Sequence, residues 1–271
     1  MVIVAHPGDE VFGFGGAIAS AAAEGAYVVV VCVTRGWFDQ RLSAKPPAPG
    51  GKNRDLKFGA VNWRNVDTVR EDELRRSVAV LGVRVVRMLD YAEGELDRAD
   101  FDHLVERIVE PIRIHRPEVI LGFGPDGVTG DSDHIVLSRA VSAAYLRAAE
   151  PLAYEDDIEE DLVAWRAAKL YQLVVPPSAV EALGARASGE GYGSTAEPTV
   201  ALQLGELAQI KLAAISRHVS QTGSGGPFHD WGAEVRDQYL GTEHYRLAVS
   251  ALAAGEGADA ARETSLFDGL S

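Results

Sequence analysis

The sequence contains little cysteine. Cys32 is the single cysteine among 271 residues, which excludes an intrachain disulfide framework and any metal site built from several thiolates. A chain without disulfides is typical of a reducing compartment, so we predict a cytoplasmic location. Any metal ion in this protein must be held by histidine and carboxylate side chains.

Positive charge and long apolar runs are also scarce. The 26 Lys and Arg residues stand against 40 Asp and Glu residues, a formal net charge of −14. This balance argues against a general nucleic-acid binder and against docking on anionic lipid. No stretch approaches the roughly 20 apolar residues of a membrane helix, and the N-terminus lacks the features of a signal peptide. We therefore predict a small-molecule partner, with no nucleic acid and no membrane, and leave a homo-oligomer open.

What the sequence does contain is an alternation of apolar strands and helical stretches. This βαβ pattern is typical of an α/β fold, and we predict a Rossmann-like, mostly parallel doubly wound sheet flanked by helices, with C-terminal helices. We assign residues 1–254 to a single domain and expect a loose tail over 255–271. The predicted strands are 2–5, 27–33, 83–89, 119–123 and 169–175, and the predicted helices are 13–24, 70–81, 101–115, 132–149, 204–219 and 234–254.

Two long segments interrupt this alternation. Residues 36–69 are rich in Pro and Gly and also contain Trp37 and Trp63, and residues 186–199 are rich in Gly. Segments of this length in a compact domain are typically lids or binding loops, or they are disordered. For 36–69 the sequence leaves both alternatives open.

The strongest chemical signal is His6-Pro7-Gly8-Asp9-Glu10, where the first strand meets the first helix. In open α/β sheets, binding sites form at the carboxyl ends of strands. His6 and Asp9 are three residues apart, so both side chains can converge on one cation. The alternative is structural: Asp9 caps the helix and His6 has no special role.

A second cluster of acids and histidine, Asp131-Ser132-Asp133-His134, follows the strand at 119–123 and opens a helix. A third ligand, His134, would complete a His/Asp/His set with the first cluster. Such a set suits a catalytic zinc ion with an open position for water. The alternative is again a helix cap, formed by Asp131 or Ser132.

These segments resemble the motifs of one family. The opening HPGDEVFGFGG is similar to the AHPDDE motif of the PIG-L/LmbE-like zinc-dependent de-N-acetylases, and GPDGVTGDSDH is similar to their GxxGHPDH element. The resemblance runs from residue 1 to about residue 250. Further elements follow in the family's order, at Arg70 and Glu73 and in the segments LGV, LDY, KLAAISRHVSQT and EHY.

The resemblance implies a Rossmann-like fold and metal-dependent hydrolysis of an acetamide or another amide on a sugar-like or natural-product substrate. By position, it implies that His6, Asp9 and His134 hold Zn²⁺ or another divalent metal. It places Asp133 as a carboxylate that orients the neighbouring His134. The substrate-binding positions that it implies are Arg70, Glu73, Glu93, His218 and Gln221.

Two proton-handling positions depart from the family pattern. Gly8 stands where the family has the acid that serves as general base, and Asp131 stands where the second motif begins with His. Three interpretations follow: an amidase or de-N-acetylase in which Asp131 is the rearranged base, a different reaction on the same metal scaffold, or a pseudoenzyme that binds a ligand without turnover. We predict the first, with Asp131 and Asp133 as catalytic residues.

Overall fold

The structure is a computed structural model, and it describes residues 1–36, 66–128, 130–154, 162–177, 196–222, 240–252 and 263–270. Its strands are β1 (Val2–Val4), β2 (Val29–Thr34), β3 (Val85–Tyr91), β4 (Val119–Phe123), β5 (Lys169–Val174), β6 (Val200–Gln203) and β7 (Thr242–Ser250). Its helices are α1 (Asp9–Phe12), α2 (Gly15–Ala23), α3 (Val66–Val80), α4 (Phe101–His115), α5 (Ser132–Arg147), α6 (Leu207–Ile215) and α7 (Val219–Thr222), with a short 3-10 helix at Leu96–Arg98.

The strands form one sheet in the order β3-β2-β1-β4-β5-β7-β6. Strands β1 to β5 pair in parallel, whereas β7 is antiparallel to both of its neighbours. Every residue of β1, β2 and β4 is buried, as expected for central parallel strands with both faces covered. The predicted α/β fold with a mostly parallel sheet is confirmed, and α6 lies within the helix predicted at 204–219.

The predicted helix over 234–254 is wrong over Thr242–Ser250, which forms β7; residues 234–239 and 253–254 lie outside the described residues. This strand lies between β5 and β6. Tyr245 is buried within it, and its hydroxyl lies within hydrogen-bond distance of the carboxylate of Glu243, at 2.7 Å, and of the carbonyl of Gly13, at 3.0 Å. Pairing on both edges and these buried contacts stabilise this segment as a strand, and local sequence patterns do not record such long-range pairing.

Part of the C-terminal segment is held against the sheet. The ammonium of the buried Lys169 donates to Glu263 at 2.7 Å and to the carbonyl of Asp268 at 2.5 Å. Leu266 is 4% exposed and belongs to the hydrophobic core. A buried ammonium requires a carboxylate partner, and Glu263 supplies it, so residues 263–270 are docked where we expected a loose tail.

Several predicted segments lie outside the described residues. These include 37–65 within the long segment 36–69, residues 186–195 within 186–199, residues 255–262 and 271 within the predicted tail, and residue 129 within the second motif. In the part of the chain that the structure describes, no helix combines the length and apolarity needed to cross a bilayer.

We expect Leu266→Ala to lower the free energy of unfolding by about 2–5 kcal/mol, because it leaves a cavity where the C-terminal segment packs on the core. Thermal or denaturant unfolding measures the change. Leu152→Ala is the matched control, since Leu152 is 76% exposed and the same truncation there is close to neutral. Equal destabilisation by the two substitutions would contradict a packed C-terminal segment.

Candidate active site and metal centre

The two histidine-containing motifs meet at the carboxyl ends of adjacent parallel strands. Strands β1 and β4 pair with each other. His6 and Asp9 follow β1, and His134 lies in the first turn of α5, which follows β4. Because the two strands run in the same direction, the segments that follow them meet at one edge of the sheet. Both histidines are buried there.

Three ligand atoms form a compact triangle at this edge. Nδ1 of His6 lies 3.3 Å from Nε2 of His134, and these nitrogens lie 3.6 and 3.3 Å from Oδ2 of Asp9. Ligands placed tetrahedrally at about 2.0–2.1 Å from zinc are about 3.3–3.4 Å apart. The N-cap of α1 is Gly8, so the helix-cap alternative for Asp9 is not observed. Two imidazoles and a carboxylate at this spacing fit a divalent ion.

Asp131 lies beside the triangle and also caps a helix. One ligand atom each of His6, Asp131 and His134 lie within 4.8 Å of one another. The Oδ1 of Asp131 accepts hydrogen bonds from the backbone N–H groups of Asp133 and His134, at 2.9 and 3.3 Å. The helix-cap interpretation of Asp131 is therefore observed, and its catalytic role stays a prediction. We keep Asp9 in the ligand triangle, as its motif position implies, and Asp131 is a second carboxylate within reach of the same two imidazoles.

Asp133 orients His6, although its place in the sequence had linked it with the adjacent His134. The Oδ2 of the fully buried Asp133 lies 3.0 Å from Nε2 of His6. The same carboxylate accepts from the backbone N–H groups of Gly94 at 2.6 Å and Leu96 at 3.1 Å. A carboxylate behind a ligand imidazole fixes the ring and its tautomer. Both oxygens are engaged in these bonds, which favours a positioning role over direct contact with a substrate.

His134 is oriented by groups that sequence reasoning missed. Its Nδ1 lies 3.0 Å from the carbonyl oxygen of Gly127. The ring of Phe123 stacks on its ring, with centroids 4.0 Å apart and planes inclined by 9°. The sequence contains one signal for this contact: Phe123 is an aromatic residue at the carboxyl end of β4, just before the second motif. These contacts direct Nε2 of His134 towards the triangle.

The carboxylates around His6 favour its protonated form. Burial lowers the pKa of His6, but the hydrogen bond to Asp133 and the negative charge of Asp9 outweigh burial and raise this pKa to about 9. Burial raises the pKa of Asp9, but the charge and hydrogen bond of His134 and the charge of His6 hold it well below its usual value. Because metals bind the neutral imidazole, a divalent ion must displace a proton from His6.

Three of the residues predicted to bind substrate surround the turn at Pro7. Arg70 forms a buried ion pair with Glu93 at 2.8 Å. It also donates to the carbonyls of Pro7 at 2.8 Å and Gly36 at 3.2 Å. The side-chain amide of Gln221 donates to the same Pro7 carbonyl at 2.8 Å. These contacts hold the turn that carries the first motif, and binding of substrate by these residues stays a prediction.

The remaining two predicted residues, Glu73 and His218, attach α7 to this end of the molecule. The carboxylate of Glu73 accepts from the backbone N–H of Ser220 at 2.8 Å and from its hydroxyl at 2.5 Å. His218 precedes α7 and is fully buried. Glu73 therefore anchors α7 to α3. A part in substrate binding stays a prediction for both residues.

Glu10 is a buried residue of the site that sequence reasoning did not single out. Its carboxylate accepts from the backbone N–H of Gly8 and the hydroxyl of Ser77, both at 2.7 Å. It also lies 2.6 Å from Nε2 of His218. One feature of the sequence could have indicated this role: Glu10 lies in the first turn of α1, a helix that packs against the rest of the fold. Glu10 therefore links the first motif to α3 and to the segment that leads into α7.

Fold and site together define a class of protein: an α/β protein with a His/Asp/His cluster at the carboxyl ends of parallel strands. The sequence profile of the PIG-L family, described as GlcNAc-PI de-N-acetylase, matches residues 1–145. The chain therefore belongs to the PIG-L family, and the resemblance predicted from its motifs is confirmed.

Individual relatives agree with this assignment. The chain is 29% identical over 302 residues to the 1D-myo-inositol 2-acetamido-2-deoxy-alpha-D-glucopyranoside deacetylase of Geodermatophilus obscurus, covering 100% of this chain and 97% of that protein. Its fold is similar to that of N,N'-diacetylchitobiose deacetylase from Pyrococcus horikoshii, with TM-score 0.67, 19% identity and coverage of 91% and 82% of the two chains. It is also similar to the 4-carboxy-2-hydroxymuconate hydratase of Pseudomonas putida, with TM-score 0.59, 20% identity and coverage of 94% and 97%. Since one fold carries both kinds of enzyme, the reaction must be argued from the site.

We expect the purified protein to bind about one divalent ion per chain, and His6→Ala to lose that ion, because the substitution removes one of the three ligand positions. Elemental analysis after dialysis, or titration with Zn²⁺, measures the stoichiometry. His103→Ala is the control, because that side chain is 59% exposed on α4 and its loss should leave the metal content unchanged. Wild-type metal content in His6→Ala would contradict the ligand assignment.

We expect the binding of Zn²⁺ at pH 7 to release a proton from His6, since the pKa of this imidazole is raised to about 9. Proton and cation compete for the same ring, so the apparent affinity should rise with pH until His6 is deprotonated and then level off. Calorimetry in two buffers of different ionisation enthalpy counts the released protons. Asp133→Asn should reduce the count by removing the carboxylate that stabilises the imidazolium. A pH-independent affinity between pH 6.5 and about 9 would contradict this account.

Proposed function

We propose that this protein is a divalent-metal-dependent hydrolase that removes an acetyl-type acyl group from a nitrogen of a sugar-like or natural-product substrate. The observation that carries the proposal is the triangle of His6, Asp9 and His134 with the carboxylate of Asp131 beside it. Membership of the PIG-L family supports amide hydrolysis. The name of the Geodermatophilus obscurus relative supports a 2-acetamido sugar linked to inositol as the first substrate to test.

We propose Zn²⁺ as the ion, held by His6, Asp9 and His134. When bound, a zinc ion polarises a carbonyl oxygen and lowers the pKa of water. Asp133 keeps His6 in the orientation for this ligand set through its 3.0 Å contact with Nε2. Gly127 and Phe123 do the same for His134. The ligand set is thus supported by protein groups behind each imidazole.

In this proposal Asp131 is the general base. Its Oδ1 is held by two backbone N–H groups at the start of α5, so the carboxylate is fixed beside His6 and His134. During hydrolysis the water oxygen bonds to the acyl carbon and the C–N bond breaks. Asp131 takes one proton from the water and returns it to the leaving nitrogen, which balances the reaction without a second acid. In this way the Asp131 carboxylate does the work of the general base that the family has at position 8, where this chain has glycine.

The surrounding residues fall into two proposed groups. Arg70, Glu93 and Gln221 contact one another or the Pro7 turn, and we propose that they shape the pocket for the polar groups of the substrate. Glu73 and His218 contact α7 or the segment before it, and we also propose for them the part in substrate binding that the family resemblance implies.

Two broader expectations are proposed on separate grounds. We propose that residues 1–254 form one domain, because all strands from β1 to β7 belong to one sheet. A cytoplasmic location is proposed from the single cysteine, which fits a reducing compartment.

We expect Asp131→Asn to lower turnover by about 10²–10⁴-fold with little change in KM, because it removes the proton acceptor and keeps a residue that can cap α5. The measurement is the release of acetate from N-acetylglucosaminyl-inositol and from a panel of N-acetylated sugars and antibiotic intermediates, with metal content determined on the same samples. Metal content should remain that of the wild type.

Asp100→Asn is the matched control for this experiment. Asp100 caps α4 and accepts from the backbone N–H of His103 at 3.1 Å, so the same change of charge is made at a helix start outside the site. Its turnover should equal that of the wild type. Unchanged turnover in Asp131→Asn would reject Asp131 as the base, and a metal-loaded wild type that releases no acetate from the whole panel would reject the hydrolase.

A further inference from the structure

The space beside Gly8 is filled by a side chain from a distant part of the chain. A Cβ atom at residue 8 would lie 2.6 Å from Nε2 and 2.8 Å from Oε1 of Gln221. Cβ atoms do not approach other heavy atoms this closely in proteins. Gly8 also has φ = 113°, a backbone conformation that residues with a side chain rarely adopt. Residue 8 therefore cannot carry a side chain while Gln221 keeps its position.

The amide of Gln221 is not free to move aside without cost. Its Nε2 donates to the carbonyl of Pro7 at 2.8 Å. Gln221 lies in α7, where Ser220 is anchored by the carboxylate of Glu73. Displacing the amide would break the bond to Pro7 and leave that carbonyl without this donor. A hydrogen bond of this kind typically contributes about 0.5–1.5 kcal/mol.

The same part of the chain also holds the opposite side of the turn. The backbone N–H of Gly8 donates to Glu10, which lies 2.6 Å from Nε2 of His218. The Pro7 carbonyl is thus held by Gln221 of α7. The Gly8 N–H is held by Glu10, which in turn contacts His218, the residue before α7. Pro7 and Gly8 are the two residues between the proposed ligands His6 and Asp9, so their conformation sets the spacing of that pair.

We propose that Gln221 is a positioning residue that holds the Pro7-Gly8 turn and thereby keeps His6 and Asp9 at ligand spacing. The proposal rests on the metal centre of the proposed function and not on turnover. One consequence is that residue 8 and residue 221 are coupled: shortening the side chain at residue 221 removes the clash with a Cβ at residue 8, although the backbone strain at φ = 113° remains.

The test is the binding of Co²⁺ to Gln221→Ala, Gly8→Ala and the double variant Gly8→Ala/Gln221→Ala. Affinity and the visible absorption spectrum of the bound ion are both measured, because the spectrum reports ligand geometry and a change in stability alone would not move it. Gln209→Ala is the matched control, since Gln209 is an exposed glutamine on the neighbouring α6. The melting temperature of each variant is recorded in parallel.

We expect Gln221→Ala to weaken Co²⁺ binding by about tenfold and to change the spectrum, as loss of a group that orients a ligand typically does. Gln209→Ala should match the wild type in both. Gly8→Ala alone should bind Co²⁺ more weakly than Gly8→Ala/Gln221→Ala and melt at a lower temperature, because only the single variant forces the two side chains into one space. If Gly8→Ala does not fold, recovery of folded protein in the double variant is the expected form of the same result.

Wild-type affinity and spectrum in Gln221→Ala would overturn the proposal. So would additive effects of the two substitutions, since independent sites do not compete for one space. If neither variant with Gly8→Ala folds, the proposal is tested by Gln221→Ala alone: a changed Co²⁺ spectrum supports it and a wild-type spectrum overturns it. Failure of the proposed hydrolase is distinguishable, because it leaves Co²⁺ binding and its coupling to residue 221 intact while no acetate is released. A wild type that binds no Co²⁺ would overturn both.

Discussion

The buried carboxylate of Asp133 joins three separate segments at the candidate active site. It contacts Nε2 of His6 at 3.0 Å after a sequence separation of 127 residues, and it accepts from the backbone N–H groups of Gly94 and Leu96. A fully buried carboxylate is costly unless every lone pair finds a donor. The start of α5, the segment after β1 and the segment after β3 must therefore stay together, and the ligand triangle depends on that junction.

Around this junction the site carries more negative than positive charge. Asp9 and Asp131 lie close to the two imidazoles, whereas Glu93 is paired with Arg70. Like charges brought together in a buried site disfavour one another, and they favour either protonated histidine or a bound cation. The raised pKa of His6 and the fit of the triangle to a divalent ion are thus two consequences of one charge distribution. The net charge of −14 does not reveal this local arrangement, because it sums the charges of the whole chain.

The parallel half of the fold could be predicted from the sequence because its signals are local. The predicted helix over 101–115 and strand over 119–123 coincide with α4 and β4. The antiparallel edge could not be predicted in this way. The helix predicted over 234–254 included Thr242–Ser250, which is a strand that pairs with β5 and β6. Such pairing joins residues far apart in sequence, which propensity and periodicity do not record.

By itself, the sequence determined which residue types are available to hold a cation and where they stand. With one cysteine, only histidines and acids were available, and the motifs placed His6, Asp9 and His134 at strand ends that a parallel sheet brings to one edge. Only the tertiary structure decided how the neighbours divide the remaining roles. Asp133 contacts His6 and not the adjacent His134, and Gln221 fills the space beside Gly8 across more than two hundred residues of chain. Those contacts depend on the packing of α5 and α7 against the ends of the strands, and packing distances are not encoded in spacing along the chain.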